Sequence, residues 1–166
     1  GMPDYCGPKT VKGVIKGIKI FLNEPFVDRA RVGIWGISRG ATVAALVATE
    51  VPTLFKAAVF QSGAYDMKKN YETTKVEGIS ENIEKEAGIT DVVLKERSPI
   101  YAVDRISFPV LIIHGEKDDN ISVEQANILD KEFARLRKPH KTILIQKGSH
   151  FLTKQVRKRY IFPFLE

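Results

Sequence analysis

A serine flanked by glycines is the first candidate for chemistry in this sequence. The stretch GIWGISRGAT, residues 33–42, contains the pattern Gly-x-Ser-x-Gly as Gly36, Ser38 and Gly40. It joins a short apolar run, residues 31–37, to a longer apolar stretch, residues 41–50. This order predicts a strand, a sharp turn and a buried helix, which is the setting of a nucleophile elbow. Ser38 is therefore the candidate nucleophile.

The predicted turn would place Ser38 at the amino terminus of the helix. The dipole and the free amides of a helix amino terminus favour negative charge nearby. We therefore expect the backbone amide of Arg39 to be one donor to an oxyanion. Gly36 and Gly40 are expected to let the strand and the helix approach each other closely.

A serine hydroxyl becomes nucleophilic when a base accepts its proton, and the sequence offers three histidines for this role. In a parallel sheet the reactive groups gather beyond the carboxyl ends of the strands. His150 follows the predicted strand 142–145 on that side, whereas His140 precedes this strand and is expected in a solvated loop. His114 directly follows the predicted strand 109–113 and lies almost within it. We interpret it as a structural hydrogen-bonding residue. His150 is the candidate base.

The acid that orients this base should also follow a strand. Glu116, Asp118 and Asp119 all lie in the loop after Ile113. The resulting order of serine, acid and histidine is the order expected of an α/β-hydrolase. The alternative is that this acidic loop only caps the helix that follows Ser122.

The elements that must position these residues alternate along the chain. The predicted strands are residues 31–37, 56–60, 109–113 and 142–145. The predicted helices are residues 11–22, residues 41–50, the stretch from Ser122 to Pro139, and the C-terminal residues after His150. Ser122 and Gln125 have the spacing of a capping box at the start of the third helix. Buried strands separated by helices predict a single α/β domain over residues 1–166, with a mostly parallel sheet between two helical layers. Residues 66–99 are polar and charge-dense, and they are expected to form a cap-like insertion.

Several stretches resemble the catalytic domain of the prolyl oligopeptidase family and its esterase relatives among the α/β-hydrolases. They are PDYCGPKTV, FVDRARVGIWGISRGAT, KAAVFQSG, SPIYAVDRISFPVLIIHGEKDDNIS and KGSHF. The resemblance implies a catalytic triad in which the nucleophile matches Ser38, the acid of His-Gly-x-x-Asp matches Asp118, and the base matches His150. Asp119 would then be the neighbouring non-catalytic acid.

The sequence departs from the family pattern at its beginning. Family members place several strands before the helix that starts here near Val11, and no His-Gly-Gly-type loop precedes Ser38. We therefore expect a fold truncated on its N-terminal side, with the source of the second oxyanion donor unassigned. An exposed edge at strand 31–37 predicts a homodimer or a second polypeptide that covers it. The alternative is a monomer in which the first helix folds back over this edge.

Composition bounds the remaining possibilities. The chain has 166 residues, 43% of them hydrophobic, a net charge of +6, and one cysteine, Cys6, which is expected to be a free thiol in the cytoplasm. Basic and acidic residues are interleaved, so no nucleic-acid partner is predicted, and the basic cluster from Lys154 to Arg159 is interpreted as a solvated helix face. No apolar run predicts a membrane span, and no motif predicts a metal or another cofactor.

Three functions fit these observations. The first is a serine hydrolase that cleaves peptides through an acyl-enzyme, and the second is a carboxylesterase with the same fold. The third is an inactive fragment that acts as a scaffold or a binding module. The expected substrate of an active enzyme is a peptide or a small ester.

Overall fold

The computed structural model describes residues 4–74, 76 and 78–166 of the chain. Pro3, at the head of PDYCGPKTV, and Lys75 and Glu77, within the predicted insertion, lie outside the described residues. The strands are β1 (Gly33–Ile37), β2 (Ala57–Gln61), β3 (Val110–Gly115) and β4 (His140–Ile145), all parallel, in the spatial order β1-β2-β3-β4.

Helices connect and cover these strands. They are α1 (Pro8–Phe21), α2 (Arg39–Glu50), α3 (Met67–Thr73), α4 (Ile79–Glu86), α5 (Asp91–Glu96), α6 (Glu124–Arg135), α7 (Lys154–Val156) and α8 (Phe162–Leu165), with 3₁₀ turns at Pro52–Leu54, Pro99–Tyr101 and Val103–Arg105 and a π-helical turn at Arg157–Ile161. The helix α1 begins with Pro8 in its first turn, a position where the missing amide hydrogen of proline is not needed. None of the described helices is long and apolar enough to span a membrane.

The register of the sheet aligns the carboxyl ends of its strands. Ile37 pairs with Gln61, Gln61 pairs with Ile113, and Ile113 pairs with Ile143. The loops that follow the four strands therefore leave the sheet at one edge, and this edge is where side chains from distant parts of the chain can meet.

Alternate residues of the strands supply two separate apolar cores. Phe60 and Ile112 belong to the core beneath α1, α2 and α6, whereas Val59 and Leu111 belong to the core beneath the C-terminal helices. Both faces of the central strands are thus buried, which explains why β2 and β3 are almost continuously apolar. The expected helix–sheet–helix layering of an α/β fold is confirmed.

Three expectations about the later elements were wrong. Ser122 and Gln125 do not form a capping box, because α6 begins after Val123 and the Gln125 side chain accepts hydrogen bonds from the amides of Tyr65 and Asp66. The strand β4 is only half buried, because it lies at the edge of the described sheet. His140 is its first residue and is half buried, not part of a solvated loop.

The segment between β2 and β3 contains the helices α3, α4 and α5 of the predicted insertion. Asp66 and Thr90 cap α3 and α5 with their side chains, which fixes where these helices begin. Arg97, at the end of the segment, donates to Asp4 at 3.3 Å and to the carbonyl of Tyr5 at 3.1 Å. A buried ion pair thus joins this segment to the N-terminal residues of the described chain.

Candidate active site

Ser38 lies in a sharp turn between β1 and α2. Its backbone has φ of 56° and ψ of −128°, a left-handed conformation that is strained for a residue with a side chain. Its amide donates to the carbonyl of Gln61 at 2.9 Å, and its own carbonyl accepts from the amides of Ala41 and Thr42. These bonds hold the turn at both ends, so the strained conformation is fixed by the sheet and the helix together.

The two glycines of the motif play different parts in this turn. A Cβ atom on Gly36 would lie 2.1 Å from the carbonyl oxygen of Gly40, so residue 36 must be glycine for the strand and the helix to approach this closely. A Cβ atom on Gly40 would have nothing within 4 Å. The expectation that close approach requires glycine at both positions is therefore wrong for Gly40.

The first residue of α2 carries the predicted oxyanion donor. Among the described residues, no backbone carbonyl accepts a hydrogen bond from the amide of Arg39, as expected for the first turn of a helix. The guanidinium of Arg39 lies 4.1 Å from the centre of the Tyr5 ring and 3.8 Å from the carboxylate of Glu86. These contacts hold the long side chain against the N-terminal segment and α4.

His150 and Asp118 form a buried pair. The Nδ1 atom of His150 lies 2.8 Å and 3.0 Å from the two carboxylate oxygens of Asp118. The side chain of His150 is 6% exposed and that of Asp118 is fully buried. Because an ionised carboxylate only accepts hydrogen bonds, this geometry places the proton of a neutral His150 on Nδ1 and leaves Nε2 as a base.

Asp118 accepts further hydrogen bonds besides that of His150. The amides of Asn120 and Ile121 donate to Oδ1 at 3.0 Å and 2.9 Å, and His114 Nε2 lies 3.1 Å from Oδ2. Burial alone would raise the pKa of this carboxyl group. The hydrogen bonds from His114, Ile121 and His150 outweigh that effect, so the pKa of Asp118 lies below its ordinary value.

The loops that carry the acid and the base are joined to each other. The amide of Glu116 donates to the carbonyl of Ile145, and the amide of Lys117 donates to the carbonyl of Gly148 at 2.8 Å. A Cβ atom on Gly115 would lie 2.3 Å from that same Gly148 oxygen. Gly115 therefore permits the two loops to approach each other, a role that no local sequence pattern indicates.

Ser38 and His150 line one cavity of about 220 Å³, to which Arg39 also contributes. The remaining lining residues are mostly apolar or uncharged: Tyr5, Thr42, Ala64, Met67, Val76, Ile79, Asn120 and Ile121. Val76 and Ile79 belong to the segment between β2 and β3, so the predicted insertion forms one wall of the cavity. A larger cavity of about 850 Å³ lies at the opposite end of the sheet, around Gly33 and Ala57, away from these residues.

Other candidate residues lie outside this arrangement. Asp119 and Glu116 are exposed, and His140 contacts Asp130 at the opposite end of β4. His114 is a buried hydrogen-bonding residue, as expected, but its contact with Asp118 was not foreseen. Within the described ranges no group of three or more histidine, cysteine or acidic residues is placed to hold a metal ion.

The parallel sheet and the serine turn define this chain as an α/β-hydrolase fold. A sequence model of the Prolyl oligopeptidase family matches residues 4–164, and the chain belongs to this family. It is 27% identical over 165 residues to the uncharacterized peptidase YtmA of Bacillus subtilis, covering 97% of this chain and 63% of that protein.

Solved structures show the same likeness. The acylaminoacyl peptidase of Pyrococcus horikoshii matches 84% of this chain with a TM-score of 0.75 and 26% identity. A putative dipeptidyl aminopeptidase IV of Bacteroides ovatus matches 99% with a TM-score of 0.82 and 19% identity, which bears on the fold alone. The chain spans 23% of the length of each of these two structures.

Proposed function

We propose that this chain carries a serine hydrolase site in which Ser38, His150 and Asp118 act as a catalytic triad on peptide bonds. The observation that carries the proposal is the buried contact between His150 Nδ1 and Asp118, in a cavity that His150 shares with the strained Ser38. This arrangement provides a nucleophile, a base and a group that orients the base.

The reaction would proceed through an acyl-enzyme. His150 Nε2 accepts the proton of the Ser38 hydroxyl as the serine oxygen attacks the carbonyl carbon of the substrate. The protonated imidazole then donates this proton to the leaving amine or alcohol as the scissile bond breaks. Water, deprotonated by the same imidazole, attacks the acyl-enzyme and releases the acid, and the proton returns to Ser38.

The chain supports the charges that develop during these steps. Asp118 keeps the Nδ1 proton in place and stabilises the imidazolium. The amide of Arg39 is one donor to the oxyanion, and the amino terminus of α2 adds a favourable dipole. Because Ser38 is held by bonds to the sheet and the helix, the nucleophile needs little reorganisation to react.

Peptides are the substrate class that the relatives favour, since the proteins similar in sequence and in structure include a peptidase and an acylaminoacyl peptidase. Esters are the second candidate. No acidic side chain is among the described residues that line the cavity, so these residues provide no carboxylate to bind a free amino terminus. Blocked acyl groups and neutral esters therefore fit the lining better than substrates with a free amine.

A fluorophosphonate probe tests the proposal directly, because it reacts with an activated serine whatever the substrate. We expect one adduct, located on Ser38 by peptide mass spectrometry, and none in Ser38→Ala. Comparing nitrophenyl esters with acylated peptide anilides then separates the two substrate classes. A folded parent chain that forms no adduct would contradict the triad and favour a scaffold or binding module. Equal labelling of the parent chain and Ser38→Ala would contradict the triad by placing the reactive residue elsewhere.

A further inference from the structure

Two imidazoles share the carboxylate of Asp118. His150 lies on the side of the cavity, and His114 lies within β3, where its side chain is fully buried. His114 Nε2 is 3.1 Å from Asp118 Oδ2 and 3.0 Å from the carbonyl oxygen of Ile121. The proposed catalytic steps do not use His114, although the side chain of His114 is in direct contact with the proposed acid, Asp118.

The contacts of His114 fix the position of its proton. Both groups near Nε2 are acceptors, so Nε2 must carry a hydrogen, which it shares between Ile121 and Asp118. The Nδ1 atom is buried and has no hydrogen-bond partner among the described residues. Keeping an unpaired polar atom in the core is unfavourable, and such atoms call for a functional or structural reason.

The reason lies in the orientation of the carboxylate plane. Oδ1 of Asp118 is held by the amides of Asn120 and Ile121, which belong to the same loop. His150 Nδ1 contacts both oxygens, at 3.0 Å from Oδ1 and 2.8 Å from Oδ2, and His114 contacts Oδ2. Rotation about the Cβ–Cγ bond moves both oxygens, and it is opposed at Oδ1 by the two amides and at Oδ2 by His114. Without His114, the imidazole of His150 would be the remaining partner of Oδ2 among the described residues, so the carboxylate would be held from the loop side alone.

We propose that His114 is a positioning residue, which fixes Oδ2 of Asp118 from within the sheet so that Asp118 holds His150 in its productive orientation. This inference rests on the proposed triad. His114 touches no substrate and moves no proton in the reaction. It acts through Asp118, and its effect should fall on the rate of the chemical step more than on substrate binding.

Three substitutions test this role. His114→Leu removes the donor at similar volume, and His114→Gln keeps a donor of similar reach. His140→Gln is the matched control, since His140 also contacts an aspartate, Asp130, but at the opposite end of the sheet. We expect His114→Leu to lower kcat for a nitrophenyl ester by about 10- to 100-fold, with KM within about twofold, because a small misplacement of a reactive group can cost about 100-fold in rate.

We expect His114→Gln to recover most of that loss and His140→Gln to match the parent chain. A His114→Leu variant that is folded and keeps the kcat of the parent chain would overturn the proposal. An equal loss in His114→Leu and His114→Gln would also overturn it, because the donor would then not be what matters. Should His114→Leu fail to fold, His114→Asn replaces it, since its side chain is too short to reach Asp118.

A second measurement does not depend on activity. The Nδ1 proton of His150, bonded to Asp118, should give a far-downfield proton NMR resonance that is lost in Asp118→Asn. We expect this resonance to shift or broaden in His114→Leu and to be unchanged in His140→Gln. If the parent chain proves inactive towards the fluorophosphonate, the proposed function fails, but this resonance still decides the role of His114: an unchanged position in His114→Leu overturns it.

Discussion

Asp118 and His150 are 32 residues apart in the chain, yet their side chains meet at 2.8 Å. The contact forms because β3 and β4 are adjacent and parallel, and because the loops after them are bonded to each other. The neighbouring Asp119 is exposed and makes no such contact. The two aspartates therefore provide a matched pair for testing which acid orients the base.

We expect Asp118→Asn to lower kcat by up to about 10⁴-fold, the size of effect that the same replacement has in a serine protease triad, because the amide favours the wrong tautomer of His150. Asp119→Asn should stay within about twofold of the parent chain. Steady-state hydrolysis of a nitrophenyl ester measures both, and thermal unfolding controls for the fold. The reverse ranking would place the acid at residue 119.

The pH dependence of stability gives a second test of Asp118. Its pKa is lower in the folded chain than the ordinary aspartate value of about 3.9, so the unfolded chain takes up the proton first as the pH falls. The ionised carboxylate therefore contributes its full stabilisation at pH values above the pKa of the unfolded chain. This stabilisation is lost as the pH falls through the lower pKa of the folded chain. Asp118→Asn should therefore be less stable than the parent chain at pH 5.

This difference in the free energy of unfolding should narrow between pH 5 and pH 3, and urea denaturation across that range measures it. Asp119→Asn, whose side chain is exposed, serves as the control. A difference between Asp118→Asn and the parent chain that is constant over this range would show that Asp118 is not stabilised in its ionised form.

The glycines of the elbow, Gly36 and Gly40, give a third prediction, which concerns the stability of the turn. Gly36→Ala would force a Cβ atom to within 2.1 Å of a backbone oxygen, which cannot move without shifting α2. We expect it to lower the free energy of unfolding by more than about 2 kcal/mol. Gly40→Ala meets open space within a helix and should raise it by about 0.5–1 kcal/mol. Equal effects of the two substitutions in chemical denaturation would contradict the geometry of this turn.

The sequence was sufficient to predict the strands and the helix that follows the elbow. The relevant signals are local: short apolar runs ending in polar or glycine residues, and a parallel sheet that brings such ends together. The partner of His114 could not be predicted, because it depends on how the loop after Gly115 folds back. The role of Gln125 could not be predicted for a similar reason. Its side-chain amide oxygen accepts hydrogen bonds from Tyr65 and Asp66, which are 60 and 59 residues away in the chain.

The ion pair between Asp4 and Arg97 gives a fourth prediction. Both side chains are more than nine-tenths buried, and their contact joins the N-terminal segment to the end of the predicted insertion. Removing the carboxylate of Asp4 leaves the buried Arg97 with the more exposed Glu96, at 3.6 Å, as its ionic partner, so Asp4→Asn should cost up to about 3–5 kcal/mol of unfolding free energy. The exposed pair of Lys68 and Asp91 is the control, and Asp91→Asn should change stability by less than about 1 kcal/mol. Equal, small effects in urea denaturation would show that the buried contact is not maintained in solution.

The last prediction concerns the edge of the sheet at β1. Only β2 pairs with β1 within the described residues, so one row of its backbone groups has no strand beside it. Two large apolar side chains, Phe21 at 55% and Phe26 at 75%, are exposed and line a cavity together with Gly33 at the start of β1. An unpaired edge beside exposed apolar surface favours association with a second copy of the chain.

We expect sedimentation at micromolar concentration to detect a dimer that dissociates on dilution. The double substitution Phe21→Ser, Phe26→Ser should weaken this dimer at least tenfold, because it removes apolar surface without touching the core. Ile89→Ser is the control, since Ile89 is also exposed but belongs to the segment between β2 and β3. Helix α1 carries Lys9, Lys12, Lys16 and Lys19 and no acidic residue, so salt should strengthen the association by screening their repulsion. A monomer at every concentration, with or without salt, would instead favour the alternative in which the N-terminal residues and the first helix fold back over this edge and leave a stable monomer.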